Sequence, residues 1–121
     1  MSTRTGVMES QHQAAMIAIQ REMCARYGLP DTPVEDTVAL ATGTLGQMPI
    51  YGTRVEPGDG DNISWFFHCG KYSDADNFYQ PVHTEHLPQM LPFVVKYLRL
   101  SPGTHFIIDD RGYEDVWHAP S

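Results

Sequence analysis

The chain has 121 residues, of which 41% are hydrophobic, and a formal net charge of −7. That is enough apolar material for a single core and too much for a disordered chain. The acidic balance excludes an electrostatic grip on nucleic acid phosphates. No apolar run is long enough to cross a bilayer and no basic-then-apolar leader opens the chain, so the expectation is a protein that stays in the cytoplasm. Arg4, Arg21 and Arg26 balance Glu9 and Glu22 within residues 1–30, which leaves the acidity to the remainder of the chain.

Taken in order, Met1 to Ser10 offers little for a core and reads as a flexible tail. From Ser10 to Tyr27, Met16, Ile19, Met23 and Tyr27 recur at three- and four-residue steps, the pattern of an amphipathic helix. Gly28 and Pro30 then supply its stop signal. Thr37 to Leu45, with small and β-branched residues, predicts a strand, and Ile50 to Val55 a second that forms a hairpin with it. Pro49 and Gly52 point to an edge position or a bulge. Pro57 to Asn62 is turn chemistry, and it lacks the bidentate Glu that an EF-hand calcium loop requires at its twelfth position.

Ile63 to His68 alternates with aromatic residues in both sets, which predicts a central strand covered on two faces. Gly70 to Gln80 reads as a polar loop studded with Tyr72, Phe78 and Tyr79. Thr84 is placed to cap a second helix, whose apolar stripe runs Leu87, Met90, Leu91, Val94, Val95 and Leu98. Pro92 should kink or break it near Leu91. Thr104 to Asp109 and Tyr113 to Trp117 complete the strands. The expected fold is therefore α+β, a mainly antiparallel sheet of about five strands against an N-terminal helix and a second, Pro-kinked one, in a single domain over residues 1–121.

Chemistry-bearing residues are sparse. Cys24 and Cys69 lack metal-binding spacing and read as reduced thiols. His68 and Cys69 point to opposite faces of one strand and cannot act together as base and nucleophile. No catalytic motif, nucleotide-binding loop or cofactor fingerprint is present. His83 and His86, with Asp76 as a third ligand, would be the only route to a small metal-dependent enzyme, and zinc usually wants three or four protein ligands. By contrast, Tyr72, Asp74, Asp76, Tyr79, His83 and Glu85, with Tyr113, Glu114, Asp115 and Trp117, would make an acidic surface with aromatic anchors, suited to binding a protein.

The order Trp65-Phe66-Phe67, Gly70, Gln80-Pro81-Val82-His83, Glu85-His86-Leu87, Tyr97-Leu98, Pro102-Gly103, Phe106-Ile107-Ile108-Asp109 and Gly112-Tyr113-Glu114-Asp115-Val116-Trp117 resembles the Imm33-like immunity proteins of bacterial polymorphic toxin systems. The resemblance is strongest over residues 63–117. It implies a small α+β protein that binds and neutralises a cognate toxin encoded nearby, without catalysis, metal or cofactor. The acidic surface adds that the toxin is basic.

Overall fold

The computed structural model describes residues 2–58, 60 and 62–119. Asp59 and Asp61, the centre of the expected 57–62 turn, lie outside the described residues. The fold is α+β: helix α1 (Ser2–Arg26) precedes a six-stranded sheet, β1 (Thr37–Leu40), β2 (Ile50–Arg54), β3 (Trp65–Cys69), β4 (Gln80–His83), β5 (Thr104–Ile108) and β6 (Glu114–His118). Strand order is β4-β1-β3-β2-β5-β6. All neighbours are antiparallel except β1 and β3.

The helix begins at Ser2, earlier than the Ser10 expected from the sequence. It ends in a Schellman motif: Gly28 adopts φ 66°, its N–H meets the Ala25 carbonyl at 3.2 Å and the Leu29 N–H meets that of Cys24 at 2.9 Å. The buried stripe differs from the expected one. Ile19 is 46% exposed, whereas Gln20 is buried with its side-chain amide donating to the Val95 carbonyl at 2.8 Å. A polar residue is tolerated there because its hydrogen bond is made inside.

The expected β1–β2 hairpin does not form. β1 stops at Leu40, because Thr44 in the 3₁₀ turn Thr42–Thr44 bonds the Ala41 carbonyl and accepts from the Cys69 N–H. The chain then passes beyond β3 to place β2 between β3 and β5. Gly52 is thus neither at an edge nor in a bulge. A Cβ there would stand 2.2 Å from the Phe106 ring, so the glycine makes room for that ring on the core face.

Gln80 to His83, expected as the end of a loop and the approach to a helix, is β4, a strand beyond the five expected. Tertiary pairing with β1 overrides a sequence poor in strand formers. Thr84 caps no helix; its hydroxyl donates to the Glu35 carbonyl at 2.6 Å. The second helical region breaks at Leu91 (φ −149°) into α2 (Leu87–Met90) and a 3₁₀ segment, Pro92–Tyr97. Its stripe packs as expected, with Leu87, Leu91, Val94, Val95 and Leu98 buried.

These helical pieces and α1 cover one side of the sheet, where Val38, Leu40, Ile50, Trp65, Phe67 and Phe106 form the core. Arg54 lies within that core layer, reaching the carbonyls of Pro33, Leu98 and Leu100 and the carboxylate of Glu35. It ties the 30–36 connection to the end of the second helical region. Among the described residues no helix is long and apolar enough to cross a membrane.

Candidate functional site: the open face of the sheet

The alternation that buries Trp65, Phe67 and Cys69 turns Phe66 and His68 to the other side, and the same parity in neighbouring strands turns Tyr51, Thr53, His105 and Ile107 with them. All six are half-buried, and none belongs to the core. The expectation of two covered faces is thereby corrected, since the helices pack on one side only. The second face keeps a partly exposed aromatic surface.

His68 is its centre. Its ring stacks on Tyr51 at 4.6 Å and meets Tyr72, Phe78 and Tyr79 at 5.7, 5.8 and 6.5 Å. The Tyr79 hydroxyl lies 3.4 Å from its Nδ1. Burial pulls the His68 pKa down, favouring neutral imidazole, and pushes the Tyr79 phenol up, with Tyr72 adding to the rise. Neither group is poised as a base with a nucleophile beside it. The loop between β3 and β4 thus folds its aromatic residues onto the sheet, while Asp74 and Asp76 remain exposed on it.

A second aromatic pair stands at the far edge. Trp117 stacks on His105 at 5.5 Å and is 41% exposed, and Asp115 sits opposite Ile107 on the same face. Thr53 joins the two clusters, its hydroxyl 3.2 Å from the His105 Nδ1.

The ten residues singled out from the sequence therefore fall in separate places. Tyr72 and Tyr79 belong to the His68 cluster, and Asp74 and Asp76 are exposed on the same loop; Asp115 and Trp117 lie on the open face at β6. His83 has open-face parity opposite Thr37 on β1, and with Glu85 lines a shallow depression beside Asp36. Tyr113 and Glu114 belong elsewhere, to a cavity of about 280 Å³ shared with Arg26, Phe93 and Lys96. There Glu114 accepts hydrogen bonds from Tyr27, at 2.6 Å, and from Tyr97. Burial raises its pKa, but these two bonds together with Lys96 and Arg26 outweigh it and hold the carboxyl below its ordinary value. Glu114 is an internal anchor between α1 and β6.

Sequence reading missed Tyr51, Phe66, His68, Thr53 and His105, which connect the two aromatic clusters. The signal was present in the outward set of each strand, and it was obscured by assigning β2 to a hairpin with β1. His83 and His86 do approach, with ring centroids 5.6 Å apart. Among the described residues, however, no three or more His, Cys, Asp or Glu side chains gather as a metal would need, so Asp76 does not complete a site with them.

A mixed sheet with helices on one side, and its aromatic and charged side chains spread over the other, defines an α+β domain with a broad face in place of a deep cleft. The model of the Imm33-like domain family matches residues 19–119, and the chain belongs to that family. No curated protein and no solved structure matches it. The matched span includes the last two turns of α1 and all six strands, extending well before the segment that carried the resemblance. Membership identifies an immunity-protein family, with a toxin as the general kind of partner.

Proposed function

We propose that this protein is a non-catalytic immunity protein that binds a cognate bacterial toxin in the cytoplasm and neutralises it by covering a basic surface or active site. The observation that carries this reading is the open face: an aromatic cluster around His68 and a second at Trp117, joined through Thr53, with Asp115 beside the second and Asp74 and Asp76 exposed on the loop that adjoins the first. Large, partly exposed rings are the usual anchors of protein interfaces, and the net charge of −7 steers the chain towards a basic partner. No cofactor or metal enters the mechanism. Tyr72 and Trp117 supply buried contact once bound, and the acidic border sets the association rate.

Expression of the neighbouring toxin gene with and without this protein tests the reading. Growth should be restored by the protein, and an inactivated toxin should co-purify with it in a fixed ratio. Asp74→Asn with Asp76→Asn should slow association and flatten its salt dependence while leaving dissociation nearly unchanged. Failure to protect against that toxin, or to bind it, would contradict the proposal.

A further inference from the structure

The two ends of the sheet are built differently. At β4, the Thr84 N–H donates to the Asp36 carbonyl at 2.8 Å, which fixes the hydrogen-bonding phase of the strand. Val82 therefore turns its main-chain groups towards β1, and Pro81 and His83 turn theirs outward. A proline in that outward position removes a donor and blunts the edge against strand addition.

β6 has no such protection. The Ala119 N–H donates to the Gly103 carbonyl at 2.8 Å and the Asp109 N–H to the Tyr113 carbonyl at 3.2 Å, so Asp115 and Trp117 bond inward to β5. Glu114, Val116 and His118 then present their N–H and C=O groups to the free edge. The strand contains neither proline nor lysine, and among the described residues no strand other than β5 pairs with it.

We propose that this edge pairs with β6 of a second copy of the chain, antiparallel, about a two-fold axis at Val116. The sequence Glu-Asp-Val-Trp-His is self-complementary in that register and in no neighbouring one. With Val116 opposite Val116, Asp115 faces Trp117, whose indole N–H is a donor for the carboxylate, while Glu114 and His118 meet without like charges opposed, the Glu114 carboxylate staying on Tyr27 and Tyr97 and the His118 ring on the Pro102 carbonyl. All outward main-chain groups of the strand are then used, in about six hydrogen bonds. A slip of two residues one way sets Asp115 against Asp115, a like-charge pair; the other way it sets Trp117 against Trp117 and gives up the Asp115–Trp117 pairing. The axis runs through the sheet, so both open faces lie on the same side of a continuous twelve-stranded surface. The pairing requires no toxin and stands independently of the proposed function.

The test uses the whole chain alone. Its mass in sedimentation velocity should pass from monomer to dimer as concentration rises from micromolar to millimolar, and Val116→Pro should weaken the dimer at least tenfold. Register is read by crosslinking. Facing residues in a hydrogen-bonded antiparallel pair have Cα atoms about 5.5 Å apart, within disulfide range, so Val116→Cys should link to its twin under mild oxidation. Asp115→Cys stands about 7 Å along the strand from its own copy as well as one strand across, and should remain unlinked. Cys24 and Cys69, 2% and 1% exposed, do not compete. If Val116→Pro fails to fold, the crosslink alone decides. A parent chain that stays monomeric throughout, or Asp115→Cys linking as readily as Val116→Cys, would overturn the proposal.

Discussion

Replacing Arg54 by methionine should destabilise the fold by about 3 kcal/mol or more, from the loss of several charge-assisted hydrogen bonds to carbonyls in the interior. The side chain of Arg54 is fully buried, and burial lowers its pKa while Glu35 opposes the shift. Its Nη1 donates to the Leu98 and Leu100 carbonyls at 3.1 and 2.9 Å, its Nη2 to the Pro33 carbonyl at 2.6 Å, and its Nε to the Ser64 hydroxyl at 3.0 Å. These partners do not all suffer equally. The Leu98 carbonyl retains the Trp65 indole N–H at 2.8 Å, and Glu35, with 24% of its side chain exposed, can turn to water. The Leu100 carbonyl loses its side-chain donor in the interior, which costs about 1 to 3 kcal/mol, and the loss of the Pro33 bond releases the 30–36 connection. Methionine fills much of the volume, so the cavity contribution is small. Arg54→Lys keeps the charge but cannot span carbonyls on both sides, and should cost less than Arg54→Met. Urea unfolding followed by circular dichroism measures the difference. A midpoint for Arg54→Met equivalent to within about 0.5 kcal/mol of the parent would refute the view that this guanidinium holds the layers together.

Gly52→Ala should destabilise by about 1 to 3 kcal/mol, because its Cβ would meet the Phe106 ring at 2.2 Å, and adding Phe106→Leu should recover part of the loss in the same assay. Alkaline pH should also weaken the fold. Burial, with the hydrogen bond to Glu114, pushes the Tyr27 phenol up from its ordinary 10.0 to about 12. The folded state holds that proton more tightly, so this contribution to stability is complete below pH 10 and is lost as pH rises through about 12. Tyr27→Phe should flatten the dependence of the urea midpoint on pH in that window; an unchanged slope would show that Tyr27 is not the group concerned.

The elements legible in the sequence were those whose periodicity reflects burial on one side. The Leu87 to Leu98 stripe and its break before Pro92 emerged as expected, because apolar spacing and a missing N–H are local properties. The strand partners were not legible. β1 pairs with β3 and β4 across long separations, and nothing within Thr37 to Leu40 distinguishes that from a hairpin with β2. β4 was hidden by Pro81, which signals an edge strand as readily as a loop. For the candidate site, the rings of Tyr72, Tyr79 and Trp117 were visible as residue types. Their arrangement on one face with His68 and Tyr51 depends on sheet order, which sequence alternation alone does not set. Glu114 looked like a surface acid because its partners, Tyr27 and Tyr97, are distant in sequence.

Capture of the toxin by the open face is tested by the binding of the parent, and of Tyr72→Ala with Trp117→Ala, to an inactivated copy of the toxin encoded nearby. Tyr72 is 57% exposed and Trp117 41%, so their truncation should leave the circular dichroism spectrum and melting temperature close to those of the parent. Each ring, once buried at an interface, can carry about 2 kcal/mol or more. The parent should bind tightly and the double variant should dissociate at least a hundredfold faster, with protection of growth lost in parallel. A folded double variant that binds and protects like the parent would contradict capture by this face.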